Sequence, residues 1–165
     1  MANSNSQGFG LVAAARVGNT PAISGQSKYE IDAGSSSAIY NGEIVKVNIS
    51  ASTGGYIVTA AAGTAAVGVL NGVFYTDATT KKPTFANYYA GSITPANSED
   101  ITAFVNDDPN QSYIIATDAT LGSTLALRKS KIGLTYATTA AAGDTANGKS
   151  TIRLGISTAA TTAKQ

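Results

Sequence analysis

The sequence of 165 residues contains no histidine and no cysteine, and only 13% of its residues are charged. Without histidine the chain has no side chain whose ordinary pKa lies near neutrality, and so no ready general base and no imidazole metal ligand. Without cysteine it has no thiolate nucleophile, no disulfide and no thiolate zinc site. These absences favour a structural or binding protein over an enzyme, and we expect no catalytic residue, no cofactor and no metal site.

Positive and negative residues are nearly balanced, with eleven Lys and Arg against ten Asp and Glu and a net charge of +1. This balance gives no excess of positive charge of the kind that binds nucleic acid or an acidic membrane surface. Soluble proteins usually carry about 25% charged residues, so the surface here must consist largely of Ala, Ser, Thr, Asn and Gly. Because Ser and Thr lose little side-chain entropy on burial, such a surface favours packing against neighbours, although it equally suits an ordinary small β-domain.

Long apolar runs are also absent. No segment approaches the ~20 apolar residues of a membrane-spanning helix. The run Leu11–Ala15 is too short for the core of a signal peptide and is followed by Arg16. We therefore expect a protein that is neither inserted into a membrane nor secreted.

The chain does contain a series of short alternating stretches typical of β-strands. In the stretch 43–49, Val45, Val47 and Ile49 alternate with polar residues and would share one face. Comparable stretches are Lys28–Ile31, Tyr56–Thr59, Thr84–Tyr89, Ile101–Val105, Tyr113–Thr117, Leu125–Leu127, Ile132–Tyr136 and Thr151–Ser157. Short strands roughly 8–12 residues apart predict an all-β protein. We expect a single compact β-sandwich or barrel-like domain of antiparallel strands over residues 28–157.

The two ends of the chain lie outside this strand pattern. Residues 1–27 are rich in Asn, Ser, Gly and Ala and precede the first candidate strand. We interpret them as a flexible or extended N-terminal arm, either a frayed terminus or a segment that orders only on a partner. Residues 158–165 follow the last candidate strand and are interpreted as a C-terminal tail.

Turn residues mark the connections between strands. Asn71-Gly72 lies between two apolar stretches and predicts a two-residue hairpin, with a β-bulge in one long strand as the alternative. The segment 107–110, Asp-Asp-Pro-Asn, predicts a type I turn, because Pro presets the required φ. The segment 77–83 is expected to form another turn.

The segment 143–150, Gly-Asp-Thr-Ala-Asn-Gly-Lys-Ser, satisfies the pattern of a phosphate-binding P-loop in full. That chemistry also needs a buried strand before the loop and a helix after it, so that the helix N-terminus meets the phosphates. Here residues 151–157 alternate like a strand, and the short tail leaves no room for a helix-strand unit. We interpret the segment as a glycine-rich connector between strands.

Three further patterns have a functional and a structural interpretation. Gly8–Ala13 resembles a dinucleotide-binding fingerprint, but only polar or small residues precede it, so no strand leads in. Asp107 and Asp108 could bind calcium, yet the other ligands of a calcium loop are missing and a turn is expected. The basic segment 128–131, Arg-Lys-Ser-Lys, is expected to be a solvated strand end or loop, with an ionic contact to a partner as the alternative.

Aromatic residues are concentrated in the middle of the chain, at Phe74, Tyr75, Phe85, Tyr88 and Tyr89. We expect them to form part of the core and cross-strand pairs. The alternative is that they anchor an interface with a partner.

Three motifs in the central part of the chain resemble those of a family of small structural proteins of tailed bacteriophages. They are Gly42–Val47 (GEIVKV), Ala66–Asp77 (AVGVLNGVFYTD) and Ala103–Asn110 (AFVNDDPN). Members of the family carry a G-D/E-x-V-K strand, a V-G-V-x-x-G-V-x-Y-x-D strand and a D-D-P-N turn in this order. The resemblance is to capsid decoration, or cement, proteins and spans residues 28–120, whereas the C-terminal third from Gly122 matches less well.

The resemblance implies a β-rich protein on the outer capsid surface of a virion, made in the host cytoplasm. Its expected function is to decorate and stabilise the capsid shell by binding the major capsid protein, with contacts to other copies of itself and no nucleic-acid or membrane partner. Deleting residues 2–25 is then expected to weaken particle binding while leaving the β-domain folded. A tail- or fibre-associated subunit and a surface carbohydrate-binding β-domain are the alternatives, and a hydrolase using carboxylates ranks behind them.

Overall fold

The computed structural model of the protein describes residues 8–16, 25–50, 52, 54–61, 64–116 and 143–154. The strands of this part are β1 (Val12–Arg16), β2 (Gln26–Ile31), β3 (Ile44–Val47), β4 (Ile57–Thr59), β5 (Gly68–Thr76), β6 (Pro83–Ala86), β7 (Ile101–Asn106), β8 (Gln111–Ile114), β9 (Gly143–Asp144) and β10 (Lys149–Ser150). The only helical element among these residues is the 3-10 segment Ala96–Ser98. All strand pairs are antiparallel, so the predicted all-β class is confirmed. No helix in the described ranges is long and apolar enough to cross a membrane.

A six-stranded sheet forms the body of the protein, in the order β2-β7-β5-β3-β4, with β6 paired to β5. The nine-residue strand β5 lies at its centre. One edge of β5 pairs with β7, whereas the other edge pairs first with β3 and then with β6. The end strands β2 and β4 also approach each other, so the sheet curls towards a barrel without closing.

The hydrophobic core lies on the inner face of this sheet. On β7, Ile101, Ala103 and Val105 are fully buried, while the alternate residues Thr102 and Phe104 are only partly buried. The core cluster comprises Ile31, Ile39, Val45, Ile57, Leu70, Val73, Tyr89, Ile101, Ala103 and Val105. Alternation with a period of two therefore places one apolar face inward and leaves the other face for contacts.

The hairpin predicted at Asn71-Gly72 is wrong, and the alternative of a bulge in one long strand is correct. Strand β5 continues through both residues, and its register with β7 shifts between Leu70 and Gly72. A side chain at Gly72 would come within 2.6 Å of Cζ of Phe85. Pairing with β7 on both sides of the bulge, from Val69 to Phe74, overrides the local turn preference of the dipeptide.

Both other predicted turns are confirmed. Asp77 begins the connection between β5 and β6, and its Oδ1 accepts hydrogen bonds from the backbone N–H groups of Thr79 and Thr80. In the connection between β7 and β8, Oδ1 of Asp108 accepts a hydrogen bond from the backbone N–H of Asn110 at 2.9 Å. In each case an aspartate side chain satisfies N–H groups that would otherwise lack partners in a tight turn.

Part of the predicted N-terminal arm belongs to the folded domain. Strand β1 pairs with β8 to form a two-stranded ribbon, named here the β1–β8 ribbon. Arg16 forms an ion pair with Asp108 at 2.5 Å, and the backbone N–H of Leu11 donates to the carbonyl of Gly42 at 2.8 Å. Residues 12–16 of the predicted arm are therefore paired within the folded domain, because a partner strand from the same chain is available to them.

Other strand predictions differ in detail or lie outside the described residues. Strand β3 ends at Val47, and Ile49 is 94% exposed instead of sharing the inner face with Val45. Residues 151–153 form no strand, although Ile152 is buried. The stretches 125–127 and 132–136 and the tail 158–165 lie outside the part of the chain that the structure describes.

Candidate interaction surface

The two aspartates of the predicted turn, for which calcium binding is the less favoured interpretation, have structural partners. Asp107 accepts a hydrogen bond from the hydroxyl of Tyr29 at 2.9 Å, and Asp108 pairs with Arg16. The N–H of Asn110 and the charge of Arg16 hold the pKa of Asp108 below its ordinary value. Within the described ranges no cluster of three or more Asp and Glu residues could hold a metal ion. The turn interpretation thus accounts for both aspartates.

The segment that matches the P-loop pattern forms a short hairpin of β9 and β10. Its backbone N–H groups point to groups of the same loop: Ala146 donates to Oδ1 of Asp144, Gly148 to the carbonyl of Asp144, and Lys149 to Oδ1 of Asn147. A P-loop needs such N–H groups for phosphate oxygens. Strand β10 also stands where a P-loop requires a helix, so the pattern arises from hairpin geometry.

Two glycines of this hairpin are explained by a pair of tyrosines. The rings of Tyr40 and Tyr88 stack in parallel, with centroids 5.3 Å apart and an interplanar angle of 4°. A side chain at Gly143 would collide with the ring of Tyr40, and one at Gly148 with the ring of Tyr88. Gly148 also has a φ of 69°, which favours glycine. The tyrosine stack therefore fastens the hairpin to the sheet.

The N-terminal fingerprint has a structural explanation as well. A side chain at Gly8 would collide with the backbone carbonyl of Thr151, and one at Gly10 would come within 2.7 Å of the carbonyl of Gly42. The residues that follow form β1, where a dinucleotide site needs a helix. These glycines permit close packing of two backbones.

The Tyr40–Glu43 turn joins three separate parts of the domain. Its backbone forms hydrogen bonds with Leu11 at the start of the ribbon, with Leu70 of β5, and with Gly148 and Ser150 of the hairpin. These bonds have lengths of 2.8–3.0 Å. The turn is thus a junction through which the N-terminal and C-terminal segments contact the sheet.

Glu43 closes this turn with a buried carboxyl group, which sequence patterns did not single out. Its side chain is 3% exposed, and Oε2 accepts the backbone N–H of Tyr40 at 2.8 Å. Oε1 is buried and has no hydrogen-bond partner among the described residues. Burial raises the pKa of Glu43 to about 7, against the smaller opposing effect of the hydrogen bond from Tyr40. The carboxyl group thus titrates near neutral pH.

The structure divides the predicted aromatic group. Tyr89 is fully buried, and its hydroxyl donates to the carbonyl of Ser35 at 2.5 Å. Phe74 and Phe85 are direct partners across β5 and β6 and are 40% and 63% exposed. The core expectation is therefore confirmed for Tyr89, and the expectation of cross-strand pairs is confirmed for Phe74 and Phe85. The exposure of these two phenylalanines also leaves them available to a partner.

Phe104 joins these two residues on the outer side of the sheet, and together Phe74, Phe85 and Phe104 are named the phenylalanine face. The rings of Phe85 and Phe104 have centroids 6.1 Å apart and are tilted by 45°. Gly72 pairs with Phe104 in register and leaves room for the Phe85 ring above the bulge. The face thus contains three of the four phenylalanines of the chain.

Charges at the border of the phenylalanine face are sparse and of both signs. Lys28 is the register partner of Phe104, and Glu30 is the partner of Thr102, both across β2 and β7. Lys28 and Glu30 are exposed. An aromatic surface with balanced charges at its edge is suited to burial against another protein, since little charge must be desolvated.

The chain matches no protein-family model, no curated protein and no solved structure. The predicted basic segment 128–131 lies outside the described residues. Within the described part, the phenylalanine face is the surface whose chemistry most favours contact with a partner.

Proposed function

We propose that this protein is a structural component of a virion that decorates and stabilises the capsid shell by binding the major capsid protein. The observation that carries the proposal is the phenylalanine face on an all-β domain with few charges. The resemblance of residues 28–120 to capsid decoration proteins supplies the partner. The proposed location is the outer surface of the capsid.

The phenylalanine face provides a physical basis for attachment. Burial of a phenylalanine side chain contributes about 1.5–3 kcal/mol when it is fully removed from water. Phe85 and Phe74 are still exposed in the free domain, so a partner that covers them would gain much of this free energy. A copy that bridges neighbouring capsid subunits makes its second contact while already bound. Its overall affinity for the shell therefore exceeds that of either single contact.

Replacing Phe85 with serine is expected to weaken binding to empty shells of the cognate major capsid protein roughly tenfold or more per site. The domain should keep its stability, because the side chain is 63% exposed and outside the core. Co-sedimentation with shells over a range of protein concentrations measures the affinity. Ile49→Ser is the matched control, since Ile49 is an exposed apolar residue that is not part of the phenylalanine face.

Two results would contradict different parts of the proposal. Shell binding that is unchanged in a Phe74→Ser, Phe85→Ser double variant would exclude the phenylalanine face as the contact. A wild-type protein that does not bind the shells at all would exclude the function itself.

Labelling of the protein in intact particles is expected to show signal over the whole head, in many copies, because decoration follows the capsid lattice. An antibody with gold label and electron microscopy would measure this distribution. Signal confined to the tail or fibres would instead support the tail-associated alternative.

A further inference from the structure

A small cavity lies between the β1–β8 ribbon and the outer face of the sheet. It has a volume of about 210 Å³, and the residues that line it include four that carry a carboxamide and one tyrosine. We name it the amide cavity, and its polar residues are Gln26, Asn41, Asn71, Asn106 and Tyr113.

The topology explains why carboxamides meet here. Asn106 is the register partner of Gln26 on β2 and of Val69 on β5. Along β7 it follows Phe104 on the outer side, but the ribbon covers this end, and Asn106 is only 6% exposed. The hydroxyl of Tyr113 donates to the backbone carbonyl of Asn106 at 3.1 Å. The cavity is therefore a gap that the ribbon covers at one end of the outer face.

The hydrogen-bonding groups of the cavity are partly unsatisfied. The Asn41 side chain donates through Nδ2 to the carbonyl of Asn71 at 2.6 Å. Oδ1 of Asn106 is buried and has no hydrogen-bond partner among the described residues. A buried acceptor of this kind costs free energy until a donor reaches it, which a small rotation of the carboxamide towards a bound hydroxyl would allow.

The cavity carries no formal charge. None of the residues that line it is acidic or basic. Burial and the nearby carboxylates of Asp108 and Asp107 raise the pKa of Tyr113 to about 12, so its phenol stays neutral at physiological pH. An anionic ligand would lose hydration here without gaining an opposite charge, whereas a neutral ligand would lose less.

We propose that the amide cavity binds one ring of a neutral carbohydrate. Carboxamides donate and accept hydrogen bonds, as sugar hydroxyls do. Leu11 and Val69, the register partner of Asn106, supply an apolar wall for the C–H groups of a ring. The volume lies below the roughly 300–1,000 Å³ typical of sites for drug-sized ligands, which restricts the site to a single ring with any attached chain outside. The ring is either a free sugar or the terminal unit of a surface glycan.

This site is separate from the contact proposed for the capsid. It uses Asn41, Asn71 and Asn106, whereas shell binding is assigned to Phe74 and Phe85. A protein that binds shells but no sugar would contradict only the carbohydrate proposal. A protein that binds sugar but no shell would contradict only the proposed function, and would favour the carbohydrate-binding alternative.

The test is a titration of the full-length, 15N-labelled protein with methyl glycosides of glucose, galactose, mannose and N-acetylglucosamine, to roughly 50 mM each because single rings bind weakly. At least one glycoside is expected to shift the side-chain NH₂ resonances of Asn41, Asn71 and Asn106 saturably. Asn71→Ala should weaken binding at least tenfold. The control Asn87→Ala removes an exposed carboxamide that bonds to Asn147 in the hairpin, and should leave binding unchanged.

Three outcomes would overturn the proposal: no saturable shift with any glycoside, shifts confined to residues of the phenylalanine face, or equally tight binding of anionic gluconate. Asn71 is exposed, so its replacement tests the site without disturbing the buried Asn106. Oligosaccharides whose terminal unit is the sugar that binds distinguish a free sugar from a surface glycan as the ligand. Equal binding would identify a glycan terminus as the ligand, and loss of binding would identify a free sugar.

Discussion

Replacing Glu43 with glutamine is expected to remove most of the pH dependence of stability between pH 5 and 8. In the folded protein the pKa of Glu43 is raised from 4.5 to about 7 because the carboxyl group is buried. The folded state then holds its proton more tightly than the unfolded state does, so the free energy of unfolding falls as pH rises through this window. At one pKa unit per 1.36 kcal/mol, the loss by pH 8 is about 3 kcal/mol.

Urea unfolding at pH 5, 6, 7 and 8 measures the effect. The wild-type protein should lose stability progressively over this series, and Glu43→Gln should stay nearly constant and be the more stable of the two at pH 8. Glu30→Gln is the control, because Glu30 is exposed on β2, and this variant should keep the wild-type decline. Parallel pH profiles for the wild type and Glu43→Gln would contradict the assignment.

The position of Glu43 gives this titration wider consequences. Its Oε2 bonds to the backbone of Tyr40, in the turn that contacts Leu11, Leu70 and the β9–β10 hairpin. Ionisation places an incompletely solvated charge at that junction. Opening of the turn at alkaline pH would therefore loosen the ribbon and the hairpin together, which amide hydrogen exchange at Leu11 and Ser150 can detect.

The sequence predicts the class of fold well because alternation with a period of two is a local signal. It locates β2, β3, β4, β7 and the two confirmed turns to within a few residues. It fails at Asn71-Gly72, since the choice between hairpin and bulge depends on β7, a strand about thirty residues away in sequence that no local rule can weigh. A second non-local pairing, between β1 and β8, incorporates β1 into the domain.

The candidate surface is less predictable from the sequence than the fold. Phe104 alternates with buried Ala103 and Val105, but nothing in the pattern shows that its ring meets that of Phe85. That contact requires β6 and β7 to lie on either side of β5. It also requires Gly72 at the bulge, because a side chain there would collide with the Phe85 ring. The alternation that directs Val45 inward places Glu43 on the same side, but does not indicate that a carboxyl group would be buried there.

Deletion of residues 2–16 is expected to destabilise the domain by several kcal/mol, contrary to the expectation of a detachable arm. It removes β1, the hydrogen bond from Leu11 to Gly42 and the ion pair between Arg16 and Asp108. It also uncovers the buried side chains of Asn106 and Gln111. Each lost hydrogen bond contributes about 0.5–1.5 kcal/mol, and uncovered apolar surface adds to this.

Thermal and urea unfolding of this deletion, compared with deletion of residues 2–7 alone, separates two roles of the N-terminal region. If residues 8–16 are an integral part of the folded domain, the deletion of residues 2–16 lowers its stability, and any loss of shell binding follows from unfolding. Arg16→Gln removes the ion pair while keeping the strand, and should cost at most about 1 kcal/mol because both partners are partly exposed. If the longer deletion instead keeps wild-type stability but loses shell binding, residues 1–27 act as a binding arm.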